Sequence, residues 1–234
     1  DIKITRNTIN IKSADGSLKT YNCATNECVE VTADCPTCST IAYIRLSQFG
    51  DKTNKEWAET VNKLTSSMQN KKADAVILDL RNNPGGYLQD AVFIASEFIS
   101  DGPIVIQEDG RGSQVEMKVT RAGLMTDKGE YPVYVLINKG SASASEIVAG
   151  ALRDYGRAKL VGETSFGKGT IQQAVDVGDG ASVHLSVAKW LTPKQTWVHK
   201  KGITPDIKIE FDASASANMK IDNQLNELIQ QISK

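Results

Sequence analysis

The sequence predicts an α/β fold built around a mixed, largely parallel sheet with flanking helices. Three observations carry this. Short apolar runs alternate along the chain with helix-length segments whose apolar residues recur about every 3.6 positions. Residues 73–80 form a near-continuous apolar run, the pattern of a strand covered on both faces. That run passes through a turn rich in Asn, Pro and Gly (81–86) into another helical pattern, as β–α connections do.

Residues 1–12 read as a strand, with Ile2, Ile4, Ile9 and Ile11 alternating around a break. Residues 13–40 are rich in Ser, Thr, Asn, Asp and Cys and read as a stapled hairpin or loop. Residues 41–46 resume as a strand. A helix is expected over 54–70, with Trp57, Val61, Leu64 and Met68 on one face and Thr53 or Asn54 as its cap. After the 73–80 strand, residues 87–99 read as a second helix, and 104–107 and 114–120 as strands around a Gly-bearing turn. Residues 131–138 form an apolar strand that leads into a helix from about Ser141 to Tyr155. A short strand at 159–162 and a loop at 164–169 precede a hairpin of 171–177 and 181–188 around Gly178-Asp179-Gly180. Residues 213–220 read as a linker, and 221–232 as an amphipathic helix with Leu225, Leu228, Ile229 and Ile232 on one side. The organisation expected is an N-terminal strand and Cys-rich segment (1–40), a core (41–212), and a linker with a closing helix (213–234).

A net charge of −1, from 27 basic and 28 acidic residues, leaves no electrostatic footprint for nucleic acid. No apolar run approaches the roughly 20 residues of a membrane span. The start at Asp1, without an initiator Met, points to a processed or trimmed chain. All four cysteines, Cys23, Cys28, Cys35 and Cys38, fall in one window. Their even number suits two disulfides, while the Cys35-Pro-Thr-Cys38 pair suits half of a structural zinc site. Free thiols are the third reading.

Ligands in α/β sheets bind beyond the carboxyl ends of strands, and two such ends carry suggestive residues. In Asp79-Leu-Arg-Asn-Asn-Pro-Gly-Gly86, paired glycines can turn backbone N–H groups into a cavity, where they would hold an oxyanion; a plain strand-to-helix turn has the same composition. In Asn138-Lys-Gly-Ser-Ala-Ser-Ala-Ser-Glu146, serines stand at a helix N-terminus, beside unpaired N–H groups and a positive local potential. Ser141 or Ser143 would equally serve as a cap, with Glu146 reaching back to the helix start. A nucleophilic serine needs a base. His184, within a strand pattern, and His199, in a basic run, read as ordinary histidines. Lysine serves as a base when burial lowers its pKa to roughly 7–8, and Lys168 sits between glycines after an aromatic in Phe166-Gly-Lys-Gly169.

An ordered series of segments resembles the C-terminal processing, or tail-specific, peptidases. It runs through Tyr43-Ile-Arg-Leu with Phe49, the 78–86 segment, Gly140-Ser-Ala-Ser-Ala-Ser-Glu146, Val161 through Gly169, Gln172, and Gly202-Ile-Thr-Pro-Asp206. The resemblance implies a Clp-protease-like (crotonase-type) spiral of βαβ units. It also implies a serine endopeptidase of the Ser–Lys type, with Ser143 as nucleophile, Lys168 as base and Gln172 orienting the lysine. Ala144 N–H and an N–H of Gly85 or Gly86 would form the oxyanion hole. No metal or organic cofactor is implied, and the expected partners are polypeptides with exposed C-terminal tails, with a homo-oligomer left open. The family's usual export to the periplasm or cell envelope favours disulfides over zinc. Family members usually carry a PDZ domain before this segment, and the 234 residues contain no PDZ sequence. A core inactive without that domain, or a non-proteolytic binding relative, are the alternatives.

Overall fold

A computed structural model describes residues 12–24, 28–32, 35, 37–126, 131–214 and 222–234. The strand expected at 1–12 and most of the 213–220 linker lie outside them. Among the described residues, eleven strands and four helices follow one another as β1(Ala14–Asn22), β2(Val29–Val31), β3(Ser39–Leu46), α1(Thr53–Asn70), β4(Ala75–Asp79), α2(Leu88–Ala95), β5(Pro103–Asp109), β6(Gln114–Lys118), β7(Val133–Ile137), α3(Ala144–Asp154), β8(Ala158–Gly162), β9(Thr170–Gly178), β10(Ala181–Leu191), β11(Ile207–Lys208) and α4(Asn223–Ile232).

The central sheet has the order β11-β8-β7-β4-β3-β1-β2. Its pairs from β3 through β11 are parallel, and β1 and β2 join antiparallel at one edge. Helices α1–α3 cover one face, where Ile44, Leu78, Val135 and Leu160 meet Trp57, Ile94 and Val148. On the other face Ile41, Ile77, Leu136 and Val161 pack on Leu228 and Ile229 of α4. Covering on both faces is why β4 is apolar from Ala75 to Leu78, and all five of its residues, Asp79 included, are buried.

The stapled hairpin read in 13–40 is present: β1 and β2 pair antiparallel from Thr20↔Val31 to Asn22↔Val29, and Cys23 and Cys28, between the two strands, are bonded. On its other side β1 pairs with β3 from Ala14↔Leu46 to Tyr21↔Ser39. Two local expectations are corrected. Neither Thr53 nor Asn54 caps α1: Thr53 Oγ1 is taken by Gly50 N and Gln48 O, and Asn54 Nδ2 donates to Asp90. Finally, β5, β6, β9 and β10 form a second, antiparallel sheet, β6-β5-β10-β9, rather than joining the first.

The cysteines pair as Cys23–Cys28 and Cys35–Cys38. This leaves no thiolate for the zinc reading. Cys23 and Cys28 pack beside α4, and Cys28 N donates to Asn226 Oδ1 at 2.6 Å.

Candidate active site

Strands β4, β7 and β8 are parallel neighbours, so the loops leaving their carboxyl ends meet. These loops are residues 80–87, 138–143 and 163–169. The first two are tied together by side chains: Asn138 Oδ1 accepts from Asn82 N at 2.8 Å, and Asn138 Nδ2 donates to Asn82 Oδ1 at 2.9 Å.

The three serines of the second loop part company here. Ser141 is fully buried and donates to Leu80 O at 2.8 Å. Ser145 is equally buried and donates to Asn83 O at 2.8 Å. Ser143 is half-buried and lines a cavity of about 470 Å³. Its backbone lies at φ 56°, ψ −116°, a region non-glycine residues avoid, at a cost of about 1–3 kcal/mol. Ser143 is the N-cap of α3, so the helix expected to begin at Ser141 begins at Ala144. The Ser143 side chain therefore stands at the positive end of the helix.

Lys168, Gln172, Gly86 and Ala144 line the same cavity. Lys168 is half-buried, and Gln172 lies on the exposed strand β9. Among the described residues no hydrogen bond joins Lys168 to Ser143 or to Gln172. Of the two glycines, Gly85 has its N–H engaged by Asn83 Oδ1 at 2.9 Å. A Cβ on Gly85 would stand 2.6 Å from Ala142 O and 2.8 Å from Ser143 Cβ, so only glycine lets the turn lie against the serine. Among the described residues the N–H groups of Gly86 and Ala144 have no acceptor within the protein.

Glu146, read from sequence only as a capping partner, is a second anchor of the site. Its fully buried carboxylate accepts Ser143 N (2.8 Å), Ser165 Oγ (2.6 Å), Gly167 N (2.7 Å) and Lys168 N (2.8 Å). It holds the loop carrying Lys168 against the start of α3. Trp190 Nε1 fixes the same loop by donating to Lys168 O at 2.8 Å. His184, read as an ordinary strand histidine, also lines the cavity.

Behind the 80–87 turn lies a charged cluster. Buried Asp79 accepts from Arg81 Nη2 (2.6 Å) and Tyr43 Oη (2.7 Å) and forms an ion pair with Arg45 Nη1 (2.8 Å). Burial alone would raise its pKa, but hydrogen bonds and charge from Arg81, then the charge of Arg45, outweigh it and hold the carboxyl below the usual range. Burial, then the Asp79 charge, pushes the Tyr43 phenol above its ordinary value. Arg81 also donates to Asp222, the N-cap of α4, through both Nη atoms at 2.7 and 2.6 Å.

The arrangement is a serine on a strained turn, an amine in the same cavity, and two unpaired N–H groups beside them. The chain itself is similar in sequence and fold to known proteins. The profile of peptidase family S41 covers residues 40–209. The chain is 43% identical over 171 residues to the carboxy-terminal processing protease CtpB of Bacillus subtilis, covering 73% of this chain and 34% of that protein. It is 45% identical over 170 residues to the carboxyl-terminal-processing protease of Synechocystis, covering 73% and 38%. The solved photosystem II D1 C-terminal processing protease superposes with a TM-score of 0.71 at 29% identity, covering 88% of this chain and 50% of that one. The chain thus spans from about a third to half of these relatives' length. The extent of the profile match and the identities together establish that the chain belongs to the serine peptidase family S41.

Proposed function

We propose that this chain is the core of a serine endopeptidase that cleaves polypeptides by acyl transfer through Ser143, with Lys168 as its general base. The observation that carries this is the cavity shared by Ser143, Lys168 and the free N–H groups of Gly86 and Ala144. In the first step the Lys168 amine takes the Ser143 proton as Oγ attacks the scissile carbonyl. The resulting oxyanion is met by the Ala144 and Gly86 N–H groups, each such donor being worth roughly 10²–10³ in rate. Because Asn83 occupies Gly85 N–H, Gly86 is the glycine assigned to this role. The Lys168 ammonium then protonates the leaving amine, and the C–N bond breaks to leave a Ser143 ester. Water, deprotonated by Lys168, hydrolyses that ester. Gln172, which lines the cavity, is assigned to orient the lysine.

The substrates proposed are unfolded proteins or exposed C-terminal tails; the relatives' names support the second, since both are carboxy-terminal processing proteases. The paired cysteines support an oxidising compartment, the periplasm or cell envelope. One observation favours a second, gated reading. Ser143 and Lys168 share a cavity without a hydrogen bond between them, so a part of the parent protein outside this chain could control their approach.

The test is covalent labelling with a serine-directed fluorophosphonate, read by peptide mapping. Modification confined to Ser143 and lost in Lys168→Ala supports the mechanism. Labelling that is unchanged in Lys168→Ala contradicts the assignment of the base.

A further inference from the structure

We infer that the outer edge of β9 is a docking rail on which an extended polypeptide, apolar at alternate positions, adds as a fifth strand on its way to Ser143. The inference rests on the peptidase reading and names where the substrate lies. Strand β9 ends the sheet order β6-β5-β10-β9, so among the described residues one side of its backbone has no neighbouring strand. Exposed edges are commonly blunted by charges or proline, but Thr170–Gly178 carries only Asp176. The edge is also connected to the cavity. Thr170, Ile171 and Gln172 are consecutive, and all three line the space that holds Ser143. Side chains of successive strand residues point to opposite faces. Gln107 of β5 and His184 and Trp190 of β10 line this cavity as well, so it lies against one face of the sheet and the β9 edge borders it at Thr170–Gln172.

The two faces of the β9–β10 hairpin differ. One carries the pairs Gln172↔Ser186 and Ala174↔His184 and is polar. The other carries Val175↔Val183 and Gln173↔Leu185, with Val175, Val183 and Leu185 40%, 45% and 49% exposed. A strand added at the edge presents its own side chains alternately to these faces. Main-chain hydrogen bonds would supply sequence-independent affinity, and apolar side chains at every second position would extend the valine–leucine face. A second copy of the chain fits less well. A nine-residue hairpin is about 30 Å long and roughly 10 Å wide. Its face of about 300 Å² falls well below the roughly 800 Å² per partner of a stable dimer.

The test uses the whole chain carrying Ser143→Ala, so that bound peptide is not cleaved. The probe is a labelled ten-residue peptide alternating valine and serine, titrated by fluorescence anisotropy. Single N-methyl groups are placed along it in turn. Methylation at one parity is expected to weaken binding about tenfold and at the other parity by less than about twofold. A uniform effect, or none, overturns the rail. Val175→Lys/Val183→Lys, two exposed positions, is expected to weaken the alternating peptide about tenfold. With Ser143 intact, it should leave cleavage of a three-residue amide substrate unchanged. Unweakened binding by that variant overturns the rail while leaving the catalytic reading standing. Absence of tripeptide cleavage by the unsubstituted chain counts against catalysis, and the methylation pattern still decides the rail. A dimer that becomes monomeric in Val175→Lys/Val183→Lys by sedimentation assigns the face to self-association and overturns it.

Discussion

Glu146 Oε2 accepts the backbone N–H of Ser143 and that of Lys168, both at 2.8 Å. One buried oxygen atom therefore references the main chain at the serine and at the lysine to the same point. Oε1 of the same carboxylate takes Ser165 Oγ and Gly167 N, so the acid clamps the β8–β9 loop to the first turn of α3. The separation of the two proposed reactive groups is thereby a property of the backbone.

Glu146→Gln should separate this positioning role from bulk. The amide is close in size but brings an NH₂ group against N–H donors. Leaving buried donors unsatisfied should cost about 1–3 kcal/mol in denaturant unfolding. Misplacement of the pair should lower kcat roughly 10–100-fold with little change in KM, the signature of a contact that matters in the transition state. A parallel rise in KM alone would contradict the assignment.

The three serines give a sharper contrast. Ser141→Ala and Ser145→Ala each remove a buried hydrogen bond, to Leu80 O and to Asn83 O, and Ser141→Ala also strips Asn138 N–H of its acceptor. They should lose about 0.5–1.5 kcal/mol of stability, up to about 3 kcal/mol for Ser141→Ala, and retain most activity. Ser143→Ala should reverse the pattern, with thermal unfolding nearly unchanged and cleavage abolished. Melting curves and a cleavage assay on the same preparations decide it.

These contrasts also mark where local sequence pattern is informative. The α1 face was legible because helical spacing is local: Trp57, Val61 and Leu64 lie within two turns and are at most 1% exposed. The apolar run of β4 was legible for the same reason. Ser141, Ser143 and Ser145 are chemically alike, and what separates Ser141 and Ser145 from Ser143 is burial against carbonyls 61 and 62 residues away. Glu146 was legible only toward Ser143, three residues off, because its other partners, Ser165, Gly167 and Lys168, are 19, 21 and 22 residues further on. The occupation of Gly85 N–H by Asn83 is a local Asx turn, and Asn83-Pro-Gly carried a signal for it. The stapled hairpin of β1 and β2 was legible from its clustered cysteines, whereas the pairing of β1 with β3 was not, because a partner strand across the hairpin leaves no local pattern.

The Asp79 cluster makes a two-sided pH prediction. The folded pKa of Asp79 lies below the unfolded value near about 4. Its contribution is therefore complete above that pH and is lost as the pH falls through the folded value. The folded pKa of Tyr43 is raised above about 10, so its contribution is complete below that pH and is lost as the pH rises past it. Asp79→Asn should destabilise by about 3–5 kcal/mol at neutral pH, because it leaves Arg81 without its buried partner. The loss should shrink in acid, and Tyr43 should ionise at lower pH in an ultraviolet titration. A constant loss from pH 7 down to 2 would contradict the linkage.

The disulfides are predicted to stabilise without taking part in the chemistry. Cys23 and Cys28 pack on the α4 face of the sheet, whereas Ala144 belongs to the α2–α3 face. Loop closure over such short spans is worth about 2 kcal/mol each. Cys23→Ser/Cys28→Ser should lower stability by about that amount and leave kcat within about twofold. A large fall in kcat would instead mean that α4 reaches the 80–87 turn through Asp222 and Arg81.

The central claim is that Ser143 and Lys168 act as one catalytic unit, and the most direct test is cleavage of an unfolded protein with an apolar C-terminal tail, followed by mass spectrometry. The unsubstituted chain should release defined fragments, and Ser143→Ala and Lys168→Ala should each release none. Equal cleavage by the Lys168→Ala variant would contradict the account.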